Sequence, residues 1–345
     1  MGAPRILIIG PSWVGDMVMA QSLFMLLKQR TPSPRIDVLA PAWSRPILAR
    51  MPEVSEILDM PVGHGKVSLG VRRNLAKGLR SHHYDQAIVL PNSLKSALIP
   101  WWANIPQRTG WRGEMRYGLL NDLRKLDKSA LPLMVQRFDA LAVPKGAPLP
   151  TNLPHPALVT DAANQQTALG KFELSTEKAI VALCPGAEFG ASKRWPEDHY
   201  ATVARQQIQA GRQVWIFGSQ NDAAVGKTIL QSMPEELRQH CHNLAGRTNL
   251  AEAVDLLALA NVVISNDSGL MHVAAALKRP LIVVYGSTSP DFTPPLADDV
   301  RILRLGLECS PCFERECPLG HLKCLRELSP EVVLNALNDL IPSKG

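Results

Sequence analysis

Two runs near the start of the chain, Ile6-Leu7-Ile8-Ile9 and Ala87-Ile88-Val89-Leu90, are apolar at every position. A strand with one face in water alternates apolar and polar residues. Unbroken runs this short, separated by helical stretches, therefore belong to strands covered on both faces, as in a parallel sheet between helices. The first half follows that plan, with strands expected at 5–10, 36–40 and 85–90 and helices at 16–30, 43–51 and 66–80. The stretch VPKGAPLPTNLPHPALV (143–159) then carries five prolines in seventeen residues and reads as a linker or irregular crossing.

Beyond it the alternation restarts. Strands are expected at 179–184, 213–218, 262–265 and 281–285, and helices at 197–210, 222–232, 250–260 and 268–277. Ser329 and Pro330 suit the N-cap and first position of a last helix running to Leu340. With 345 residues to distribute, the reading is an α/β protein of two doubly wound, Rossmann-like domains, 1–160 and 161–345, facing each other across a cleft. The last helix, 329–341, is left free to pack back on the first domain.

No apolar stretch is long enough to span a bilayer, and no leader with an apolar core of the usual length opens the chain, so a cytoplasmic protein is expected. The net charge of +6 suits an anionic partner such as a phosphorylated substrate, an acidic lipid surface or nucleic acid, and suits plain solubility equally well.

The chemistry sits in loops that follow strands. In GPSWVGDMVMAQSL (10–23), Gly10 and Gly15 lie five apart, so the dinucleotide spacing G-x-G-x-x-G is absent. Gly15 is expected to take a positive φ at the turn. Asp16 is then either the N-cap of the following helix or a general base aimed over the carboxyl end of the sheet. In CPGAEFGASKRWPEDHY (184–200), Gly186 lends flexible backbone and Lys193 a compact cation just ahead of a helix, an arrangement that suits a pyrophosphate or a solvated basic turn.

In NDSGLMHVAAAL (266–277), Asp267 and Ser268 can cap a helix while Gly269 admits a ligand to its first N–H groups. His272, four residues after Ser268, shares that face or is an ordinary core histidine. A third Gly-Ser-Thr loop, YGSTSPDFTPP (285–295), makes the second domain the nucleotide holder. In FGSQNDAAVG (217–226), Asp222 is a cap or a partner for a ribose hydroxyl.

The segment 92–124 sets Lys95, Arg108, Arg112 and Arg116 among Trp101, Trp102, Trp111 and Tyr117. Arginines suit phosphates and carboxylates, and aromatic faces suit sugar rings, although tryptophans also fill core edges. No nucleic-acid motif accompanies them. Cys309, Cys312, Cys317 and Cys324, spaced C-x2-C-x4-C-x6-C, read as a structural zinc or iron–sulfur site or as free thiols in a basic loop, whereas Cys184 and Cys241 look isolated and buried.

Taken together, GPSWVGDMVMAQSL, PNSLKSAL, RTGWRGEMRYGLLND, CPGAEFGASKRWP, NDSGLMHVAAAL and YGSTSPDFTPP resemble the bacterial ADP-heptose:lipopolysaccharide heptosyltransferases of glycosyltransferase family 9, in particular those that add the second heptose. The resemblance runs from about Ile6 to Pro295. It implies a GT-B fold, with acceptor held by the N-terminal domain and ADP-heptose by the C-terminal one. It also implies an inverting transfer of L-glycero-D-manno-heptose onto the first heptose of the lipopolysaccharide inner core, without metal or cofactor.

By position, Asp16 matches the family's general base and Lys193 the lysine that holds the donor phosphates. Asp267, Gly269 and His272 match a D-[ST]-G-x-x-H donor segment. Hydroxyl residues that precede the lysine in the first heptosyltransferase are replaced here by Glu188 and Phe189, with Ser192 as a substitute, so the donor set becomes Gly186, Ser192, Asp222, Asp267, Ser268, Gly269 and His272. Lys95, Arg108, Trp111, Arg112 and Arg116 are the acceptor candidates. The implied acceptor is heptosyl-Kdo2-lipid A, which places the enzyme peripherally on the cytoplasmic side of the inner membrane, with no nucleic-acid partner. Two alternatives remain beside it: another nucleotide-sugar GT-B enzyme, and a nucleic-acid-binding protein with a cysteine metal module.

Overall fold

The computed structural model describes residues 2–63 and 65–341. The chain forms two compact units, one ending at Ala157 and the other beginning at Leu158. The first contains strands β1 (Arg5–Ile9), β2 (Arg35–Pro41), β3 (Val54–Met60), β4 (Gln86–Val89), β5 (Gln107–Trp111) and β6 (Asp122–Arg124). They form one sheet in the order β3-β2-β1-β4-β5-β6, every neighbouring pair parallel. The second unit contains β7 (Ile180–Cys184), β8 (Gln213–Ile216), β9 (Cys241–Asn243), β10 (Val262–Asn266), β11 (Leu281–Val284) and β12 (Val300–Leu303). Its order, β12-β11-β10-β7-β8-β9, repeats the same plan, again all parallel.

The continuous apolar runs become the central strands for the reason given by the sequence: β1, β4, β7, β10 and β11 have helices on both sides, and their residues are almost wholly buried. In both sheets the strand order reverses between the first and fourth strands, at β1/β4 and at β7/β10. Connections there leave in opposite directions and open a crevice at the carboxyl ends of the strands. The loops before Asp16, Lys193 and Asp267 all follow strands that flank one of these reversals.

Several elements differ from the sequence expectation. β3, β5, β6, β9 and β12 lie outside the expected strands. β3 and β12 are edge strands whose residues are mostly half-buried, and β9 has only three residues, so none has a full apolar run. The expected helix at 43–51 is a 3-10 turn, Ala42–Ser44, followed by the single turn Arg45–Leu48. The first long helix starts at Val14, two residues before Asp16, so Gly15 is helical instead of a left-handed turn residue.

The proline-rich stretch forms no helix or strand, yet its end is anchored. Ala157 exchanges two hydrogen bonds with the Gln21 side chain (2.8 and 2.9 Å), and Leu158 N donates to Ala276 O. The last helix, Pro330–Leu340, packs against helix Glu197–Gln209 and strands β11 and β12 of the second unit.

One buried carboxyl ties two helices of the first unit. Asp139, at the end of helix Met134–Asp139, has no exposed surface and accepts a hydrogen bond from Ser22 Oγ (2.8 Å) on helix Val14–Lys28. Its Oδ1 lacks a partner among the described residues. Burial pushes this carboxyl up to about 7 against the opposing pull of Ser22. The folded chain thus holds a proton that the unfolded chain releases near pH ~4. Its stabilising contribution is complete below that pH and is lost as the pH rises through about 7, with a slope of up to roughly 1.4 kcal/mol per unit. Asp139→Asn should flatten the fall of the thermal midpoint between about pH 4 and about pH 7. An unchanged fall would assign it to other groups.

Candidate active site

In the second unit, β7 and β10 are paired with Cys184 beside Ser265, so the loops that follow them emerge side by side. Asn266, the last residue of β10 and fully buried, joins them. Its Nδ2 donates to Pro185 O (2.6 Å), while its Oδ1 accepts from Trp195 N (3.1 Å) and Tyr200 Oη (3.0 Å). One amide side chain thereby fixes both ends of the loop that carries Lys193. The loop is also tight: a Cβ on Gly186 would come within 2.3 Å of the Asp222 carboxyl carbon.

Lys193 Nζ donates to Asp267 Oδ2 at 2.6 Å, with the two side chains 14% and 4% exposed. The same carboxylate oxygen accepts the Thr288 hydroxyl (2.5 Å), and the ammonium lies 4.9 Å from the centre of the Phe189 ring. An ammonium has three donors, so this pairing orients Lys193 and leaves donors for phosphate oxygens. Immediately after, helix Gly269–Ala276 starts at N-cap Ser268 with no side-chain capping bond. Its first N–H groups and dipole therefore present a positive end beside the lysine. Ammonium and helix terminus together offer the positive charge and N–H donors that suit a diphosphate.

His272 lies on the same helix and is buried. Burial lowers its pKa to about 4, Lys193 adds to that effect and Asp267 opposes it, so the imidazole is neutral at neutral pH.

Two expected donor residues have their polar atoms engaged elsewhere. The buried Ser192 hydroxyl is shared with Ser287 Oγ (3.0 Å) and donates to Glu314 O, which makes it part of the loop scaffold. Asp222 Oδ2 accepts from Ser219 N (2.9 Å) and Ser219 Oγ (2.7 Å), which closes a capping box at the 3-10 turn Gln220–Asp222, and the side chain makes no cap bond to helix Ala223–Gln231 that follows. Asn266, Phe189 and Thr288 are new members of the site. They lie inside quoted motifs, but nothing in residue type or spacing told them apart from ordinary loop residues.

In the first unit, Asp16 occupies the first turn of helix Val14–Lys28, whose N-cap is Trp13, and it is half-buried. It therefore stands at the carboxyl end of β1 beside the β1/β4 reversal, where the helix dipole favours a carboxylate, and it is not the N-cap residue.

Three of the five acceptor candidates are occupied by the fold. Arg116, 1% exposed, donates to Pro91 O (2.7 Å), Asn92 Oδ1 (3.3 Å) and Trp111 O, and burial lowers its pKa to about 10. Arg108 donates to Leu119 O (2.7 Å) and Ile105 O (2.6 Å). Trp111 is buried with its indole N–H on Arg137 O (2.9 Å), which is core packing and not a stacking surface. Arg112 is exposed and Lys95 half-buried.

Among the described residues, the one group of three metal-ligand atoms within 4.8 Å of one another is Asp37, Glu56 and His82. Asp37 already accepts from Arg35 Nε (3.1 Å) and Tyr84 Oη (2.9 Å), and Arg5 lies 3.4 Å away, so this is an ion-pair hub whose positive charge is supplied.

The sequence model of glycosyltransferase family 9 (heptosyltransferase) matches residues 72–323. Lipopolysaccharide heptosyltransferase 2 of Salmonella typhimurium is 51% identical over 99% of both chains. The chain belongs to glycosyltransferase family 9. Lipooligosaccharide heptosyltransferase 2 of Haemophilus influenzae is 52% identical, over 98% of this chain and 99% of that one. The structure of Escherichia coli ADP-heptose LPS heptosyltransferase II shares 50% identity at a TM-score of 0.89, covering 97% of this chain and 98% of that one. The two repeated sheets are thus the Rossmann-like halves of a GT-B glycosyltransferase, and its activity is heptosyl transfer.

The different parts played by the arginines can be checked directly. Arg116→Met leaves buried carbonyls without a donor and should cost about 2–4 kcal/mol of stability in urea denaturation. Arg112→Ala should leave the urea midpoint unchanged, and equal losses in the two variants would contradict the assignment of Arg116 to the fold.

Proposed function

We propose that this chain moves L-glycero-D-manno-heptose from ADP-heptose to the first heptose of the lipopolysaccharide inner core, in one inverting displacement. The observation that carries the reading is the Lys193–Asp267 pair beside the uncapped start of helix Gly269–Ala276, a diphosphate receptor in a chain about half identical over its full length to heptosyltransferases of this kind.

In the reaction, Asp16 accepts the proton of the acceptor hydroxyl as its oxygen attacks the anomeric carbon. The bond from that carbon to the ADP oxygen breaks, and ADP departs with the electron pair. Lys193 and the helix N-terminus offset the charge that develops on the leaving diphosphate. Neutral His272 and the amide of Gly269 complete the donor contacts. Lys95 and Arg112 meet the anionic acceptor. No cofactor is needed, because a fixed ammonium and helix dipole occupy the role a divalent ion fills elsewhere, and the carboxylate nearest the diphosphate is already paired with Lys193. Among the described residues no helix is long and apolar enough to cross a membrane. We assign the enzyme to the cytoplasmic side of the inner membrane, where it meets its lipid-linked acceptor, heptosyl-Kdo2-lipid A, peripherally.

Incubation with ADP-heptose and a core acceptor carrying one heptose, followed by mass spectrometry, should show the gain of one heptose. An unchanged acceptor mass would refute the assignment. Asp16→Asn should lower kcat by roughly 10²–10⁴-fold, the usual contribution of a general base, with ADP affinity preserved. A matching loss of ADP affinity would make Asp16 a structural or donor residue instead. Lys193→Ala should weaken both ADP binding and turnover, while added Mg²⁺ should leave wild-type turnover unchanged.

A further inference from the structure

Between β12 and the short helix Lys323–Arg326, residues 304–322 form no strand or helix and are mostly exposed, yet they follow a fixed path over the loops that carry the donor site. Phe313 N donates to Ser287 O (2.7 Å), and Ser310 Oγ to Gly286 O (2.6 Å). Ser192 N donates to Arg315 O (3.2 Å), and Ser192 Oγ to Glu314 O. Gly190 allows the approach, because a Cβ there would lie 2.3 Å from Arg315 O. The Arg315 guanidinium stands 5.5 Å from the centre of the Phe189 ring, the same ring that Lys193 faces. A solvent-exposed stretch of this length has little apolar burial to offset its ordering entropy, so something else must hold it.

Four of the chain's six cysteines fall in or next to this segment: Cys309, Cys312, Cys317 and Cys324. Phe313, directly after the C-x2-C pair, and Leu322 both take left-handed backbone (φ 59° and 51°), which bulky residues adopt only where their surroundings enforce it. The backbone amides of Leu322, Leu319, His321 and Gly320 face the Cys317 sulfur. Cys309, Cys312 and Cys317 all lie near Cys324, so the four sulfurs share one neighbourhood. His321 Nδ1 accepts the Lys323 amide (3.0 Å) and serves the turn.

We propose that Cys309, Cys312, Cys317 and Cys324 bind a structural metal centre that clamps residues 304–322 onto the donor loops. The chemical class is a tetrathiolate centre, either a zinc ion or an iron–sulfur cluster. Four thiols lose their protons to solvent as it forms, and Arg315 in the segment, with Lys323 and Arg326 in the short helix after it, offset the remaining negative charge. A single zinc about 2.3 Å from each sulfur would draw the sulfurs within about 4 Å of one another. No three of them lie within 4.8 Å among the described residues, so zinc requires the ring to contract, whereas a cluster with several irons accepts a wider one. The clamp's effect on the donor rests on the reading of Lys193 as the phosphate ligand. Metal content is measured without substrate and is decided separately.

The test is to assay the full chain, purified without chelator under nitrogen, for zinc, iron and acid-labile sulfide. One zinc per chain without sulfide identifies the ion, and iron with matching sulfide identifies the cluster. In the double variant Cys312→Ser/Cys317→Ser, the content should fall to about a tenth or less. In case that variant does not fold, thiol labelling of the wild type gives a second measurement. The four cysteines should resist labelling until metal is removed, with helix content retained throughout, while Cys184 and Cys241 stay buried and unreactive. A chain isolated without zinc or iron that also takes up neither Zn²⁺ nor ferrous iron with sulfide would overturn the proposal. Metal that survives the double substitution, or full labelling of the four cysteines in the untreated chain, would overturn it too.

Discussion

An all-parallel sheet whose strand order reverses at its centre cannot close over the ends of the two strands that flank the reversal. That constraint appears twice here, at β1/β4 and β7/β10, and it opens a place for polar chemistry in a chain whose interior is mostly apolar. At the second reversal the opening is held by Asn266, whose three hydrogen bonds tie the end of β10 to both sides of the Lys193 loop. Without that buried amide, Pro185 O, Trp195 N and Tyr200 Oη would each lack a partner in the dry interior, a cost of about 1–3 kcal/mol apiece.

The two domains share a strand order and differ in charge at the equivalent place. After β1 the chain turns within four residues into a helix whose first turn contains a carboxylate. After β7 it makes a longer loop ending in a lysine that reaches the carboxylate following β10. A helix start that already holds Asp16 is a poor place for a diphosphate, and one left uncapped beside an ammonium is a good one. These charges support the proposal that the second domain recognises the nucleotide and that the acid of the first takes part in proton transfer.

What the sequence disclosed follows burial. Strands covered on both faces show unbroken apolar runs, so β1, β4, β7, β10 and β11 were legible, and with them the fold class. Edge strands such as β3 and β12 are half-exposed and have no such signature. Among the candidate site residues, Asp16, Lys193 and Asp267 could be singled out because each follows a legible strand, in the loop after it or in the first turn of the next helix. Arg108, Arg116 and Trp111 were read as a binding surface because composition cannot tell an arginine that faces solvent from one whose guanidinium collects backbone carbonyls. The scaffold bonds of Ser192 were hidden for a related reason: its partners, Ser287 and Glu314, are about a hundred residues away in sequence.

Hydrogen exchange with and without saturating ADP, read by mass spectrometry of peptides, tests most directly where the nucleotide sits. Protection is predicted in peptides covering 184–195 and 265–273, with residues 10–23 unchanged. Protection confined to residues 10–23 would contradict the assignment of the nucleotide to the Lys193–Asp267 site and, with it, the separation of roles between the two domains.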